Sequence, residues 1–452
     1  MTDNSALVPN SISLPDDMLY NLKPSAGRGK SYRCSLQPQN KSTFAANDTI
    51  IMSIPCGRRN TYLSGSDSYL KFTVQNLEAN NKITIDNNAG CFFNRLDIFH
   101  GSNLLESIQQ MNVLYTYLLD FQLSTATKAA LSNVYGTSFG TARDGLSIDP
   151  GKKLTFCIPI LSGVVGLLLD KYLPVGQLAD DIRLEFVLEA NNTAVVYAAT
   201  NATKTPWSIV GVELELNYIE LSDEAQSIVN SASPLNDTVF LHGNSWKHYT
   251  SNIAASTAGT FSTLIPARFA STKSIVVCPR ATTTINNSES YSLSSRSNFG
   301  IDTYWFRVGS ALYPSRPVTL KNSSGLVAGY AEGFQEIMKS FHSLNHIEMS
   351  GACSFTQYNT NDAADTGVGA GGVQILQTGA LSLNNGFAIA IDLETYANRE
   401  DIMISGMNTL SAQTFLECNI GTGPTVSYTL NMYANYDHIL VKDSSGLLSV
   451  RF

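Results

Sequence analysis

Asn94-Arg95-Leu96-Asp97-Ile98-Phe99-His100-Gly101-Ser102-Asn103-Leu104-Leu105-Glu106-Ser107-Ile108 decides the fold class. In an extended chain Leu96, Ile98 and His100 fall on one face, and Arg95, Asp97 and Phe99 on the other. Gly101-Ser102-Asn103 is a turn signal, and residues 104–108 return as the partner strand. The same two-residue period recurs at 208–219. There Val210, Val212, Leu214, Leu216 and Tyr218 form a stripe with Glu213 and Glu215 opposite, which predicts a long, half-exposed antiparallel strand. Further strands are predicted at 49–54, 68–74, 154–160 and 182–188. A second series falls at 239–241, 260–265, 274–278, 303–308, 386–393, 414–418, 426–433 and 438–442. Helices are few. Leu114, Tyr117, Leu118 and Phe121 place one over 111–121, Ser222 with acids in the first turn starts one over 222–232, and another is expected at 330–341.

Composition agrees with a β-rich chain. Of 452 residues only 15% are charged, against a usual quarter, while 43% are hydrophobic and 10% aromatic. Aromatic and β-branched residues suit pleated, half-buried surfaces. The net charge of −8 disfavours direct coating of nucleic acid, since phosphate neutralisation supplies most of that affinity, and no sequence-specific nucleic-acid binding is expected. Seven cysteines lie at 34, 56, 91, 157, 278, 353 and 418 without a C-x-x-C pair. That pattern reads as reduced thiols of an intracellular product, not a disulfide framework. The start Met1-Thr2-Asp3-Asn4 lacks the features of a secretory leader. Apolar runs such as 164–169 are too short to span a bilayer. The sequons at Asn47, Asn236 and Asn322 read as chance matches.

Residues 1–45 show no periodicity and are punctuated by Pro9, Pro15, Pro24 and Pro38, which predicts an N-terminal arm. Its basic residues Lys23, Arg28, Lys30 and Arg33 are the candidate contacts for an inner face or partner. Two domains follow, at 46–221 and 237–452, joined by a linker helix within 222–236. The halves share landmarks in order. Gly101-Ser102-Asn103-Leu104 answers Gly309-Ser310-Ala311-Leu312, and Phe156-Cys157-Ile158-Pro159-Ile160 answers Phe387-Ala388-Ile389-Ala390-Ile391. Each half closes on a long strand with an Asn-Tyr pair, Asn217-Tyr218 and Asn435-Tyr436. A duplicated unit of about 200 residues, with eight short strands and long loops, fits a jelly roll. The fold class expected is therefore all-β: two tandem eight-stranded jelly-roll sandwiches with a few short helices.

Two segments carry a family resemblance. One is 94–108, running on through Tyr115-Thr116-Tyr117-Leu118-Leu119-Asp120. The other is Asn435-Tyr436-Asp437-His438-Ile439-Leu440 and the ending Leu447-Leu448-Ser449-Val450-Arg451-Phe452. Both resemble the double-jelly-roll major capsid proteins of polinton-like viruses and virophages, in the wider lineage of adenovirus hexons and tailless membrane-containing phages. The resemblance implies a structural subunit of the virion of a DNA virus. Three copies would form a pseudo-hexagonal capsomer tiling an icosahedral shell. Penton and other minor capsid proteins, neighbouring capsomers and an inner membrane are the implied partners. A tandem β-sandwich adhesin or viral spike is the alternative, and a sandwich-fold carbohydrate-active enzyme a third reading.

Motifs for chemistry do not assemble. Gly367-Val368-Gly369-Ala370-Gly371-Gly372 matches a dinucleotide fingerprint literally, but a polar run precedes it instead of a strand. Gly367, Gly369, Gly371 and Gly372 are read as a long outer loop. Gly136-Thr137-Ser138-Phe139-Gly140 lacks the helix that a nucleophile elbow needs. His342 and His346 are four apart, but Ser343 stands where a zinc protease carries glutamate. Asp180-Asp181 reads as a solvated turn. No enzyme activity, cofactor or metal is expected.

Overall fold

The structure is a computed structural model, described over residues 27–137, 145–190, 195–196, 206–232, 238–285, 291–294, 296, 298–320, 330–341, 351–353, 355–358, 386–395, 404–421 and 423–452. Eight main strands build the first unit: β1 (Gly29–Leu36), β2 (Thr49–Ile54), β3 (Thr61–Asn76), β4 (Phe93–His100), β5 (Asn103–Gln109), β6 (Lys153–Pro159), β7 (Ile182–Leu188) and β8 (Trp207–Leu221). The second unit has β9 (Val239–Ile253), β10 (Gly259–Ile265), β11 (Thr272–Ala281), β12 (Ile301–Val308), β13 (Ala311–Thr319), β14 (Ile389–Asp392), β15 (Thr414–Ile420) and β16 (Tyr428–Lys442). β17 (Leu448–Arg451) pairs with β16. The longer helices are α1 (Met111–Phe121), α2 (Asp223–Ala232) and α3 (Ala331–Phe341).

Strand order identifies each unit. The first has sheets β1-β8-β3-β6 and β2-β7-β4-β5, and the second has β9-β16-β11-β14 and β10-β15-β12-β13. In both, the order within the unit is first, eighth, third, sixth against second, seventh, fourth, fifth. That is the two-sheet jelly roll, made twice. Equivalent turns match as well: Gly101 at φ +58° and Gly309 at φ +61° join the fourth and fifth strands of their units. A side chain at either would be held in the left-handed region.

Alternation explains the cores. In β7, Ile182, Leu184, Phe186 and Leu188 point inward, and Arg183, Glu185 and Val187 do not. Phe72 of β3 sits at the centre of the first core, with ring centroids 5.0 Å from Phe93, 6.0 Å from Phe156 and 6.4 Å from Phe92. Leu416, Tyr304, Phe306, Leu430 and Met432 fill the second.

Several elements differ from expectation. β1 lies within residues 1–45, assigned above to the arm, yet it pairs with β8 over eight residues, Gly29↔Leu221 to Leu36↔Leu214. Tyr32, Cys34 and Leu36 pack half-buried on the core while the intervening residues stay exposed. The strands expected at 426–433 and 438–442 are one continuous β16. β13 was not anticipated because Pro314 and Pro317 interrupt it, and it lies at a sheet edge, where proline is tolerated. Ser222 does cap α2, its Oγ accepting from Ala225 N at 3.2 Å.

Phe72→Ala should cost about 3–5 kcal/mol by leaving a cavity among three rings. A melting temperature close to the wild type in scanning fluorimetry would contradict this packing.

Candidate functional site

Charged side chains are rarely fully buried unless paired, and here most of the buried ones converge where the two sandwiches meet. At one end of the first unit lie Asp86, after β3, and Asp120, in α1. Asp86 is fully buried and accepts backbone N–H groups of Ser292 (2.8 Å), Leu293 (2.7 Å) and Ser294 (3.0 Å), and Ser294 Oγ (2.7 Å). Burial pushes its carboxyl above the usual range, against the pull of these donors. Asp120 meets Arg296 Nη2 at 2.8 Å and Lys128 Nζ at 3.2 Å. Arg296 also donates to Leu293 O (3.0 Å) and Phe387 O (3.3 Å). Arg280 at the end of β11 reaches Gln110 Oε1 (3.4 Å), and Tyr433 of β16 donates to Gln110 O (2.7 Å).

Midway, Glu106 of β5 accepts Ser162 Oγ at 2.5 Å, Gly163 N at 3.2 Å and, across the seam, Ser245 Oγ of β9. Desolvation raises its pKa against those three donors. At the other end, Asp170 and Asp437 flank His242: Asp170 Oδ2 faces Nδ1, and Asp437 Oδ1 lies 3.2 Å from Nε2. A ring with a carboxylate on each nitrogen must donate from both, so it is the imidazolium. The Asp437 hydrogen bond is the main cause of its raised pKa. His438 donates Nε2 to Gly163 O at 3.1 Å, and burial drives its pKa down to about 4. A side chain at Gly163 has no room, since a Cβ there would lie 2.2 Å from Asn244 O. Backbone bonds finish the seam: Asn244 N to Leu168 O (3.1 Å), Asp170 N to His242 O (3.2 Å) and Ala179 N to Gly446 O (3.1 Å). His100 Nδ1 accepts Leu448 N at 3.2 Å.

These contacts fix relative orientation. The connections after β3 and β5 leave one end of the first sandwich, and they touch the ends of β11 and the connection after it. The β6–β7 connection leaves the opposite end, and it touches the start of β9 and the segment after β16. The sandwiches therefore stand side by side, same end up. The first presents its β5 edge and α1, and the second presents the outer face of β9-β16-β11 together with the free edge of β9, where Leu169 pairs with Gly243. A pocket of about 320 Å³ opens along this seam, lined by Tyr115, Leu118, Leu161, Trp246 and Phe341 among others.

Of the residues singled out from sequence, Lys30 lies 3.3 Å from Glu220, and Arg33 Nε lies 3.1 Å from Glu215. Arg28 is exposed immediately before β1. Lys23, the Gly367–Gly372 run, His342, His346 and Ser138 lie outside the described residues. The structure does not bring Lys30 or Arg33 to the seam. The seam groups Asp86, Glu106, Asp120, Arg280, Arg296 and Asp437 carried no sequence signal, because their partners are distant in the chain. Among the described residues no group of three His, Cys, Asp or Glu converges as metal ligands. None of the seven cysteines is in a disulfide, and Cys91, Cys278, Cys353 and Cys418 are buried.

The fold so defined is a double jelly roll. The same architecture is found in the mavirus major capsid protein, with a TM-score of 0.55 at 11% identity over 98% of this chain and 96% of that one. A chain of the Sputnik virophage gives 0.59 at 10% identity over 99% and 94%, and the Faustovirus major capsid protein gives 0.56 at 10% over 95% and 92%. No protein-family profile and no curated protein matches this sequence.

The seam makes stability depend on pH in two directions. Unfolded His438 binds its proton near pH 6.5 and the folded ring only near 4, so stability should fall as pH drops across that window, by on the order of 3 kcal/mol. His438→Gln should flatten this limb in melting temperatures measured from pH 4 to 7. His242 has the opposite sign. Its contribution is complete below its unfolded pKa and is lost as pH rises through the raised folded value. A His242→Gln protein with an unchanged alkaline limb would contradict the cationic ring.

Proposed function

We propose that this chain is the major capsid protein of an icosahedral DNA virus, and that three copies close into a pseudo-hexameric capsomer. The seam carries this reading. Within one chain, the β5 edge of the first sandwich packs on the outer β9-β16-β11 face of the second, same end up. That contact is heterologous, so it leaves the corresponding partners unused: the β13 edge of the second sandwich and the outer β1-β8-β3 face of the first. Head-to-tail repetition between chains either closes a ring or runs on as a filament. Three chains of two equivalent sandwiches close a ring of six. The likeness to solved capsid proteins supports the ring over the filament.

The ends follow. β1 starts beside the end of β8 and α2, at the end that carries the linker and the C-terminal segment. This reading turns that end inward, toward minor capsid proteins, pentons or an inner membrane. Arg28, Lys30, Arg58 and Arg59 gather there around Glu220 and Asp223. The opposite end, where the described parts of the connections after β3, β5, β11 and β13 lie, faces out, where loops vary without disturbing the cores.

Light scattering after size exclusion tests the ring. Three chains of 49.0 kDa give about 147 kDa with a hexagonal outline in electron microscopy, and a single-chain mass overturns the proposal. Removing residues 1–26 should leave that particle and its melting temperature unchanged. Removal to residue 40 strips β1 from β8 and should lower the melting temperature by several degrees. Equal stability of the two truncations would show that β1 adds nothing.

A further inference from the structure

The seam and the ring contact use the edges of both sandwiches and the outer faces of β9-β16-β11 and β1-β8-β3. The seam takes up Glu106 and Gln110 but leaves Leu104, at the turn end of β5, exposed. The outer faces of the other two sheets therefore stay free, with Leu104 and its equivalent Leu312 at their turn ends. Each of these carries one row of side chains that the strand registers align across all four strands. In the first sandwich the row is Ser53, Arg183, Phe99 and Leu104. In the second it is Leu264, Phe415, Arg307 and Leu312. The two rows occupy the same place in the duplicated fold, beside the turns at Gly101 and Gly309.

Their chemistry matches although the residues do not. The Arg183 guanidinium lies over the Phe99 ring at 4.6 Å, and Arg307 lies over Phe415 at 4.3 Å. Arginine stands on the seventh strand of one unit and the fourth of the other, with phenylalanine exchanged accordingly. A glutamate on the seventh strand fixes each guanidinium: Arg183 Nε to Glu185 Oε1 at 2.9 Å, Arg307 Nε to Glu417 Oε1 at 2.7 Å. A leucine at the same position of the fifth strand stands in solvent, Leu104 at 54% exposure and Leu312 at 43%, with Leu264 at 46% beside the second pair. Trp305 Nε1 donates to Glu417 Oε2 at 2.6 Å, which adds an aromatic wall there. Pinned arginine and aromatic groups with an exposed aliphatic neighbour have the make-up of an interface hot spot.

We propose that these two patches are the surface by which one ring binds the next, the occupant of each patch being a patch on another copy of this chain. The inference rests on the ring reading above. Duplication argues for a second copy as occupant. A patch repeated at equivalent places in both sandwiches recurs six times around the rim of a six-sandwich ring, where lateral neighbours sit. Each patch also holds one arginine, one glutamate and an exposed leucine, so two of them face to face across a local two-fold axis place arginine against glutamate and leucine against leucine. A dissimilar partner would have no reason to meet the same chemistry on both sandwiches.

The test uses full-length protein at rising concentration, followed by sedimentation velocity and electron microscopy. Leu104→Asp, Leu312→Asp and the double variant are compared with wild type and with Leu77→Asp, an exposed leucine elsewhere. The expected result is an unchanged three-chain particle and melting temperature in all of them. Ring-to-ring association should weaken at least tenfold in each single variant, vanish in the double variant and persist in Leu77→Asp. Association of the double variant at wild-type strength overturns the inference. So does a wild-type ring that stays at three chains at every concentration reached, or loss of the ring itself in well-folded variants. A wild type that never forms the ring overturns the earlier reading instead.

Discussion

The arrangement depends on buried polar groups that find their partners only across the seam. Asp120 and Arg296 are fully buried and 2.8 Å apart, one from each sandwich. A buried ion pair of this kind contributes little net stability, because desolvation consumes most of its attraction. Its effect is on alternatives. Sliding or rotating one sandwich against the other would strand Asp120, Asp86, Glu106 and Arg296 away from both water and partners, at a cost of several kcal/mol for each unpaired charge. The seam therefore admits one relative placement. The ring proposed above needs just that of its subunit.

Glycine completes the constraint. Gly163 brings the β6–β7 connection against β9, with His438 beneath it, at a distance no side chain allows. The polar groups then meet directly: His438 reaches Gly163 O, Glu106 takes up Gly163 N and Ser245, and Asp170 reaches His242. Close backbone approach and polar satisfaction are thus one feature seen from two sides.

The fold was largely legible because the physics that builds sheets is local. β4, β5, β7 and β8 announce themselves by a two-residue period, and the turns at Gly101 and Gly309 by the need for positive φ. Legibility failed where a strand departs from that period or from open composition. β1 mixes Tyr32, Cys34 and Leu36 with lysine, arginine and serine, as a half-exposed edge does. β13 holds two prolines. β16 was split into 426–433 and 438–442, leaving out Asn435 and Asp437, polar residues that line the seam. The seam was illegible for a different reason. Asp86 and Ser294 are 208 positions apart, and no local pattern marks an acid as one that will be buried. His100 shows the limit well: alternation placed it on the inward face, but nothing nearby in sequence foretold that Leu448 would be its partner.

The two potential seams of the ring differ in a way that follows from how each is made. In the proposed ring the covalent seam forms as the chain folds, and the face it covers on the second sandwich holds buried Tyr433 and Asp437. In the same proposal the equivalent face of the first sandwich stays in water until another chain arrives. There Glu213 of β8 is paired at the surface with Lys71 at 2.7 Å, and Glu215, itself buried, with the exposed Arg33 at 3.1 Å. Surface pairs contribute little to stability but keep a sheet face hydrated and resist indiscriminate stacking. Such pairs can also exchange partners on contact without stranding a charge. The divergence of the two sandwiches is then not drift on a duplicated frame. One face is polar, buried and committed, and the other is charged and, in the proposed ring, open to an identical neighbour.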